Sequence, residues 1–318
     1  MQVVDNNVGI SSPFSNSDRP VVRTLELSKR FKKVYAVKDA GLEAYAGDVF
    51  GLLGPNGAGK TTIIRMMLGL LAPSAGSVEV FGFSPTKQRA EVLKRVSAIV
   101  EAPALYPSLT GRDNLKTMAM VAGVNNPAKL DEVIEKMGLA ARAKDRFGTY
   151  SLGMKQRLCI AAALLTDPQL IILDEPTNGL DPAGMAEIRQ LIKELASQGR
   201  TVFLSSHLLN EVQQVCNRVA VIQKGEIIAQ GLVEELLAGK TSLRIKVLPD
   251  DWEKAKRILQ SQGWADRFHS EEDFLIVDAP ASEGVAINRA LATQGVFAGE
   301  IYARSQTLEE YYLELTGE

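Results

Sequence analysis

Over the first fifty-odd residues, apolar positions come in short bursts set apart by polar ones. Leu25 and Leu27 alternate with polar neighbours, and a second short run lies around Tyr35 to Val37. That spacing predicts two antiparallel strands. "DVFGLL" predicts a short strand entering a glycine-rich turn, and "TTIIRMMLGLL" a mostly apolar helix. From about Gln88 to Leu165 the period becomes helical, through "AEVLKRV", "GRDNLKTMAMVAG", "AKLDEVIEKMGL" and "YSLGMKQRLCIAAALL". "LIILDEP" is a short, fully apolar run of the kind found inside a parallel sheet, and helix "AEIRQLIKELASQG" and strand "TVFLSSH" continue the α/β alternation. "RVAVIQKGEIIAQG" reads as a hairpin turning at Lys224-Gly225.

A boundary near "LLAGKTS" divides the chain into a large domain over 21–238 and a small one over 239–318. In the second, Leu243, Ile245 and Val247 alternate as a strand, and helix "WEKAKRILQSQ" follows. Next come a short strand near Trp264, strand "FLIVD", helix "EGVAINRALATQ" and strand "VFAGEIYAR". The βαββαβ order predicts a ferredoxin-like α+β domain, closed by a last helix, "TLEEYYLELTG". Trp252, Trp264 and His269 read as core or surface positions in it.

Composition narrows the function classes. The chain has 318 residues, 46% hydrophobic and 23% charged, with a net charge of −2. This is ordinary for a globular protein, and the basic footprint of a nucleic-acid binder is missing. Lys87, Arg89, Lys94 and Arg95 cluster as a solvated helix face would. No apolar run approaches the roughly eighteen residues that span a bilayer. Residues 1–20 carry no basic start or apolar centre and read as a mobile polar tail rather than a secretory signal. Two cysteines, Cys159 and Cys216, sit among apolar neighbours as buried free thiols, which points to a reducing, cytosolic compartment. Any membrane role is then borrowed from a partner.

Chemistry concentrates in three places. "GPNGAGKTT", which is Gly54, Pro55, Asn56, Gly57, Ala58, Gly59, Lys60, Thr61 and Thr62, lies between the predicted strand and helix. Glycines there let the backbone wrap phosphate oxygens, and the helix start adds unpaired N–H groups. Lys60 supplies a point charge for β- and γ-phosphates, and the Thr61 hydroxyl suits Mg2+. "LIILDEP" puts Asp174 and Glu175 at a strand end: Asp174 to hold Mg2+ through water, Glu175 to take a proton from an attacking water. His207 ends "TVFLSSH"; alone it reads as a loop histidine, but beside the other two motifs it can reach a γ-phosphate and the nucleophilic water. "TYSLGMKQRL", with Ser151 and Gly153 ahead of a helix, looks like a second anion site.

Taken in order, these residues resemble the nucleotide-binding subunit of an ATP-binding cassette (ABC) transporter, over roughly residues 22–238. The resemblance implies a P-loop α/β ATPase core with an antiparallel β subdomain and a helical subdomain at about 88–165. It makes Gly54–Thr62 the Walker A loop, "LIILDEP" the Walker B strand, Asn178 to Asp181 the D-loop and His207 the switch histidine. Tyr35 falls where the family stacks an aromatic on adenine; packing within the sheet is its other reading. Ser151, Leu152 and Gly153 fall in the signature loop, where Ser151 and Gly153 meet the γ-phosphate of a second chain's ATP, and Asp181 approaches the same ATP. Leu152 and Met154 depart from the usual LSGGQ pattern, and Glu101 stands where the family offers Gln to the metal. "VEAPALYPSLTGRDNL" and "TLEEYYLELTG" are similar to the branch of bacitracin-type and multidrug exporters.

The resemblance further implies ATP and Mg2+, a head-to-tail pairing with a second copy or a homologous ATPase subunit, and a separate membrane permease as partner. It places the chain at the cytoplasmic face of the membrane. Leu105, Tyr106 and Leu109 offer apolar contacts to that permease, or pack locally. Two rival classes are a soluble ABC ATPase and a nucleotide-dependent regulator. The first usually carries two cassettes or a coiled-coil insertion, and Glu175 and His207 argue against the second.

Overall fold

A computed structural model describes residues 19–100, 105–238 and 241–317; most of the expected N-terminal tail, and Glu101, lie outside those residues. The chain runs through β1 (Val22–Phe31), β2 (Val34–Ala44), β3 (Val49–Leu53), α1 (Lys60–Met67), β4 (Ala75–Val80), α2 (Arg89–Leu93) and β5 (Val96–Ile99). Three helices follow, α3 (Gly111–Val121), α4 (Pro127–Lys136) and α5 (Leu152–Leu164). Then come β6 (Leu170–Asp174), α6 (Pro182–Ser197), β7 (Thr201–Ser206), α7 (Leu209–Gln213), β8 (Arg218–Gln223), β9 (Glu226–Leu232) and α8 (Val233–Leu236). The chain divides into two compact units, one ending at Gly231 and the other beginning at Leu232.

The central sheet of the first unit has the order β5-β6-β7-β3-β8-β9. β3 and β7 are buried along their whole length, as an apolar strand covered on both faces must be. β3 runs parallel to β7 and β8, and β6 parallel to β5 and β7. Leu53 lies opposite Ser206, and Asp174 opposite Ser205. The register therefore delivers Gly54, Glu175 and His207 side by side beyond the carboxyl ends of three neighbouring strands, where α/β sheets place ligands. Beneath that edge Phe50 and Phe203 stack with centroids 4.9 Å apart, and α1 buries Ile63, Ile64, Met66 and Met67 against them. A second sheet, β2-β1-β4, is antiparallel throughout.

The stretch from Gln88 to Leu165 is not wholly helical. β5 interrupts it, pairing in parallel with β6 from Val96↔Leu170 to Ile99↔Leu173, and α2 shrinks to five residues. Val96 and Ile99 are three apart, a helical spacing, so the sequence pattern favours a helix there and pairing along β6 decides for the strand. β4 was not foreseen either; only Val78 and Val80 of it are buried. Two residues of the basic cluster, Lys94 and Arg95, have structural partners. Lys94 pairs with Glu91, and the Arg95 guanidinium lies over the rings of Phe81 and Phe83 at 5.6 and 5.4 Å.

Helices α3, α4 and α5 pack on one another, and each begins at a side-chain cap, from Thr110, Asn126 and Ser151. Asn114, fully buried, clamps the loop before α3: its Oδ1 accepts from Tyr106 N at 2.7 Å, and its Nδ2 donates to Tyr106 O and Thr110 O, each at 3.0 Å. Tyr150 is buried over the start of α3, its hydroxyl donating to Arg142 O at 2.8 Å. A Cβ at Gly111 would lie 2.1 Å from that hydroxyl, so glycine is the residue that fits. Cys159 is buried in α5; Cys216 is buried just past α7, where Val212 O takes its amide.

The second unit contains β10 (Thr241–Val247), α9 (Trp252–Ser261), β11 (Phe268–Glu271), β12 (Phe274–Asp278), α10 (Gly284–Thr293), β13 (Ala298–Ser305) and α11 (Leu308–Thr316). Its sheet has the order β11-β12-β10-β13 with every neighbouring pair antiparallel, which is the ferredoxin-like arrangement. Leu243, Ile245, Leu275 and Val277 turn to one face, where Ile258 and Leu259 of α9 and Ile287 and Leu291 of α10 complete a core. The short strand falls at Phe268–Glu271 rather than at Trp264. Trp264 instead sits in the turn after α9, buried, its Nε1 donating to Glu283 Oε2 at 2.8 Å. Trp252 packs on the same core, and His269 is exposed on β11. Among the described residues no helix is long and apolar enough to cross a membrane.

Candidate functional site

The loop from Gly54 to Gly59 is shaped by what its glycines exclude. A Cβ at Gly54 would stand 2.2 Å from Ile222 O, and one at Gly59 (φ 113°) 2.4 Å from Ala36 O. Gly57, at φ 82°, has open space where its side chain would be, so only its backbone conformation requires glycine. The loop is braced from both sides: Gly54 N donates to Ser206 O at 3.2 Å and Gly225 N to Ala58 O at 3.0 Å. Pro55 and Asn56 are exposed at its rim, Ala58 is buried and Thr62 half-buried. No side-chain oxygen caps α1, which leaves its first-turn amides for an anion.

Lys60 is only 6% exposed, and its Nζ donates to Gly54 O at 2.7 Å and Pro55 O at 3.2 Å. Its charge is offset by Glu175 Oε1 at 3.0 Å. The other oxygen of Glu175 lies 2.9 Å from His207 Nδ1. Glu175 takes φ 50°, an unusual backbone for a residue with a side chain, held in place because its amide donates to Ser205 Oγ at 3.0 Å. Asp174 faces the other way. Its Oδ2 accepts from Thr61 Oγ1 at 2.8 Å and its Oδ1 from Ser205 Oγ at 2.5 Å. Adjacent carboxylates are thus assigned to separate partners, one to the helix start and one to the lysine and histidine.

Ser205 is the site residue that sequence reasoning missed. It is fully buried, orients Asp174 and fixes the Glu175 backbone. Two consecutive serines at the end of the otherwise apolar "TVFL" run were the available signal. Thr61 and Asp174 bring two hard oxygen donors together, and among the described residues no cluster of three or more His, Cys, Asp or Glu forms a metal site. Two protein oxygens suit Mg2+, which keeps waters and takes phosphate ligands for the rest.

The remaining candidates stand apart from this cluster. Ser151 is exposed at the start of α5 and accepts from Met154 N at 3.3 Å; among the described residues no hydrogen bond links it to the loop at Lys60. Leu152 is 51% exposed, and around Gly153 a Cβ would meet nothing within 4 Å. Asp181 caps α6, accepting from Gly184 N at 3.1 Å. Leu152 reaches this turn: a Cβ at Gly179 would stand 3.2 Å from Leu152 Cδ2. Tyr35 is 48% exposed, with the Arg30 guanidinium 5.5 Å from its ring centroid. Leu105, Met118, Ala122 and Ala163 line an apolar groove of about 400 Å3, beside which Tyr106 is exposed.

A family model described as ABC transporter matches residues 37–178. YdbJ of Bacillus subtilis, an uncharacterized ABC transporter ATP-binding protein, is 40% identical over 298 residues, covering 93% of this chain and 96% of that protein. This chain belongs to the ABC transporter ATP-binding proteins. BcrA of Bacillus licheniformis, a bacitracin transport ATP-binding protein, is 37% identical over 299 residues, with 93% of this chain and 97% of that one covered. DrrA3 of Streptomyces coeruleorubidus, a daunorubicin resistance ATP-binding protein, is 35% identical over 300 residues, covering 91% and 94%. A solved ATP-binding subunit of an ABC transporter superposes with a TM-score of 0.61 at 27% identity, over 68% of this chain and 91% of that one. As an ABC ATPase, the chain binds and hydrolyses ATP.

Proposed function

We propose that Glu175 is the general base of ATP hydrolysis, and that this subunit drives an exporter through a separate membrane permease. The observation that carries the first part is the Glu175 carboxylate held between Lys60 and His207, with Asp174 tied away to Thr61. The Gly54–Thr62 loop binds the phosphates, and Lys60 is drawn toward their charge and away from Glu175. That releases a carboxylate to take a proton from the attacking water, while His207 orients Glu175 and reaches the γ-phosphate. Thr61 and Asp174 would hold Mg2+, and the family likeness assigns Glu101 as its third ligand. When bound, the ion neutralises charge on the β- and γ-phosphate oxygens. Tyr35 receives the adenine ring on its exposed face.

Ser151, Gly153 and Asp181 complete the site of a second copy, or of a homologous subunit. The exposure of Ser151 and Asp181, and hydrogen bonds to both that stay within their own helix starts, support this reading. Two-fold symmetry then repeats each contact, and loss of the γ-phosphate lets the pair open. The apolar groove at Leu105, with Tyr106 and Leu109 beside it, receives the permease, which places the chain at the cytoplasmic face of the membrane. The bacitracin and daunorubicin relatives favour export.

Glu175→Gln tests the base. The variant is expected to bind ATP, to form a nucleotide-dependent dimer in sedimentation velocity, and to hydrolyse at least about a hundredfold more slowly. Turnover close to wild type would overturn the assignment.

A further inference from the structure

The hairpin between β1 and β2 projects from the antiparallel sheet. β4 pairs with β1 only as far as Ser28, opposite Ala75, so past that point the last residues of β1 have β2 alone beside them. Phe31 pairs with Val34 across a two-residue turn, Lys32-Lys33, in which Lys32 takes φ 53°. Glycine or asparagine is the usual occupant of such a position, and a lysine there is strained. The root of the hairpin is fixed: Arg30 N donates to Ser74 Oγ at 3.0 Å, and Lys29 Nζ to Ala72 O at 2.7 Å.

Two properties meet at the tip. Phe31 is 49% and Val34 70% exposed, and as directly opposed residues they stand on one face. Arg30 and Tyr35, the next pair, stand on the other face, with the guanidinium 5.5 Å from the ring centroid. The apolar pair therefore points away from the side assigned to adenine. Charge is the second property. Lys29, Arg30, Lys32 and Lys33 place four cations within five residues, and among the described residues none of them is paired with a carboxylate. Farther along β2, by contrast, Lys38 pairs with Glu226 at 2.7 Å.

The charge asks for an anionic surface, and the apolar pair asks for an apolar phase behind it. A nucleic acid meets only the first demand in full: Phe31 would stack on a base, but an aliphatic side chain as exposed as Val34 gains little there. We propose that the hairpin tip docks on an anionic phospholipid bilayer, with Phe31 and Val34 entering below the headgroups while Lys32 and Lys33 meet the lipid phosphates. Lys29 and Arg30 add charge at the root. Apolar insertion and a basic patch together are the two signals that reversible membrane binding needs. The contact requires neither nucleotide nor permease, so it stands or falls separately from the function proposed above.

The test is flotation of the full chain, without nucleotide, on vesicles of pure phosphatidylcholine and on vesicles with about one third phosphatidylglycerol. Saturable binding to the second is expected, at least about tenfold weaker binding to the first, and loss of binding by about 0.5 M NaCl. The double variants Lys32→Gln/Lys33→Gln and Phe31→Ser/Val34→Ser are each expected to weaken vesicle binding about tenfold or more. Both should keep wild-type ATP affinity by calorimetry, which shows that they are folded. The proposal is overturned if the anionic vesicles do not bind, if pure phosphatidylcholine binds as tightly, or if either double variant binds as wild type does. An oligothymidylate that bound more tightly than the anionic vesicles would overturn it in favour of a nucleic acid.

Discussion

Lys60, Glu175 and His207 form a line of alternating charge and hydrogen bonding in which each group has a partner before any nucleotide arrives. Both thiols, by contrast, are withdrawn from chemistry. Burial pushes Cys159 up to about 12 and raises Cys216 as well, so near neutral pH neither forms a thiolate. Iodoacetamide at about pH 8 should therefore add nothing to the native chain, and two adducts once guanidinium unfolds it, as read by intact mass; labelling of the native chain would contradict the burial. The residues of the phosphate loop were legible because they are contiguous, with Gly54 and Gly59 leaving no room for a Cβ and Gly57 held at positive φ. Ser205 and Asn114 were not, since their partners, Asp174 and the backbone at Tyr106 and Thr110, become neighbours only after folding.

At the scale of elements, fully apolar strands announced themselves and the half-exposed β4 and β5 did not. β3, β6 and β7 are buried along nearly all their length and read directly as interior strands, whereas β5 owes its conformation to pairing with β6. The contact of α3 with the turn before α5 was equally hidden, because it depends on one glycine and one hydroxyl. Gly111→Ala is expected to destabilise the protein by about 1–3 kcal/mol through overpacking against Tyr150. In a Tyr150→Leu background the same substitution should cost less, a positive coupling that a urea-denaturation double-mutant cycle reads directly. Additive effects would mean that the two residues do not meet. The Leu152 contact with the Gly179 turn is of the same kind: it joins two elements far apart in sequence, and the motif pattern alone treats Leu152 only as a departure.

For the whole molecule, the two parts of the proposed assembly are separable by experiment. Replacing Tyr106 and Leu109 by Asp and Lys should abolish co-purification with the permease and leave ATP binding in place, because both belong to the segment before α3 rather than to the phosphate loop. Undiminished co-purification would move the docking surface elsewhere. Gly225 ties the hairpin between β8 and β9 to the phosphate loop through Ala58 and to β2 through Lys38 N, which donates to Gly225 O at 2.8 Å. Nucleotide therefore stabilises the unit that holds its own cradle, by mass action on that unit's folded state. The cores of the two units share no residue, the second being built from Leu243, Ile258, Leu275 and their neighbours.

The two tryptophans of the chain, Trp252 and Trp264, both pack into that second core. Intrinsic emission excited near 295 nm is therefore a built-in optical label for the C-terminal unit, and the ATPase unit is dark at that wavelength. Heating with Mg-ATP should shift the calorimetric transition of the ATPase unit upward while the tryptophan melting curve keeps its midpoint. A tryptophan midpoint that followed the nucleotide would instead mean that the two units unfold as one.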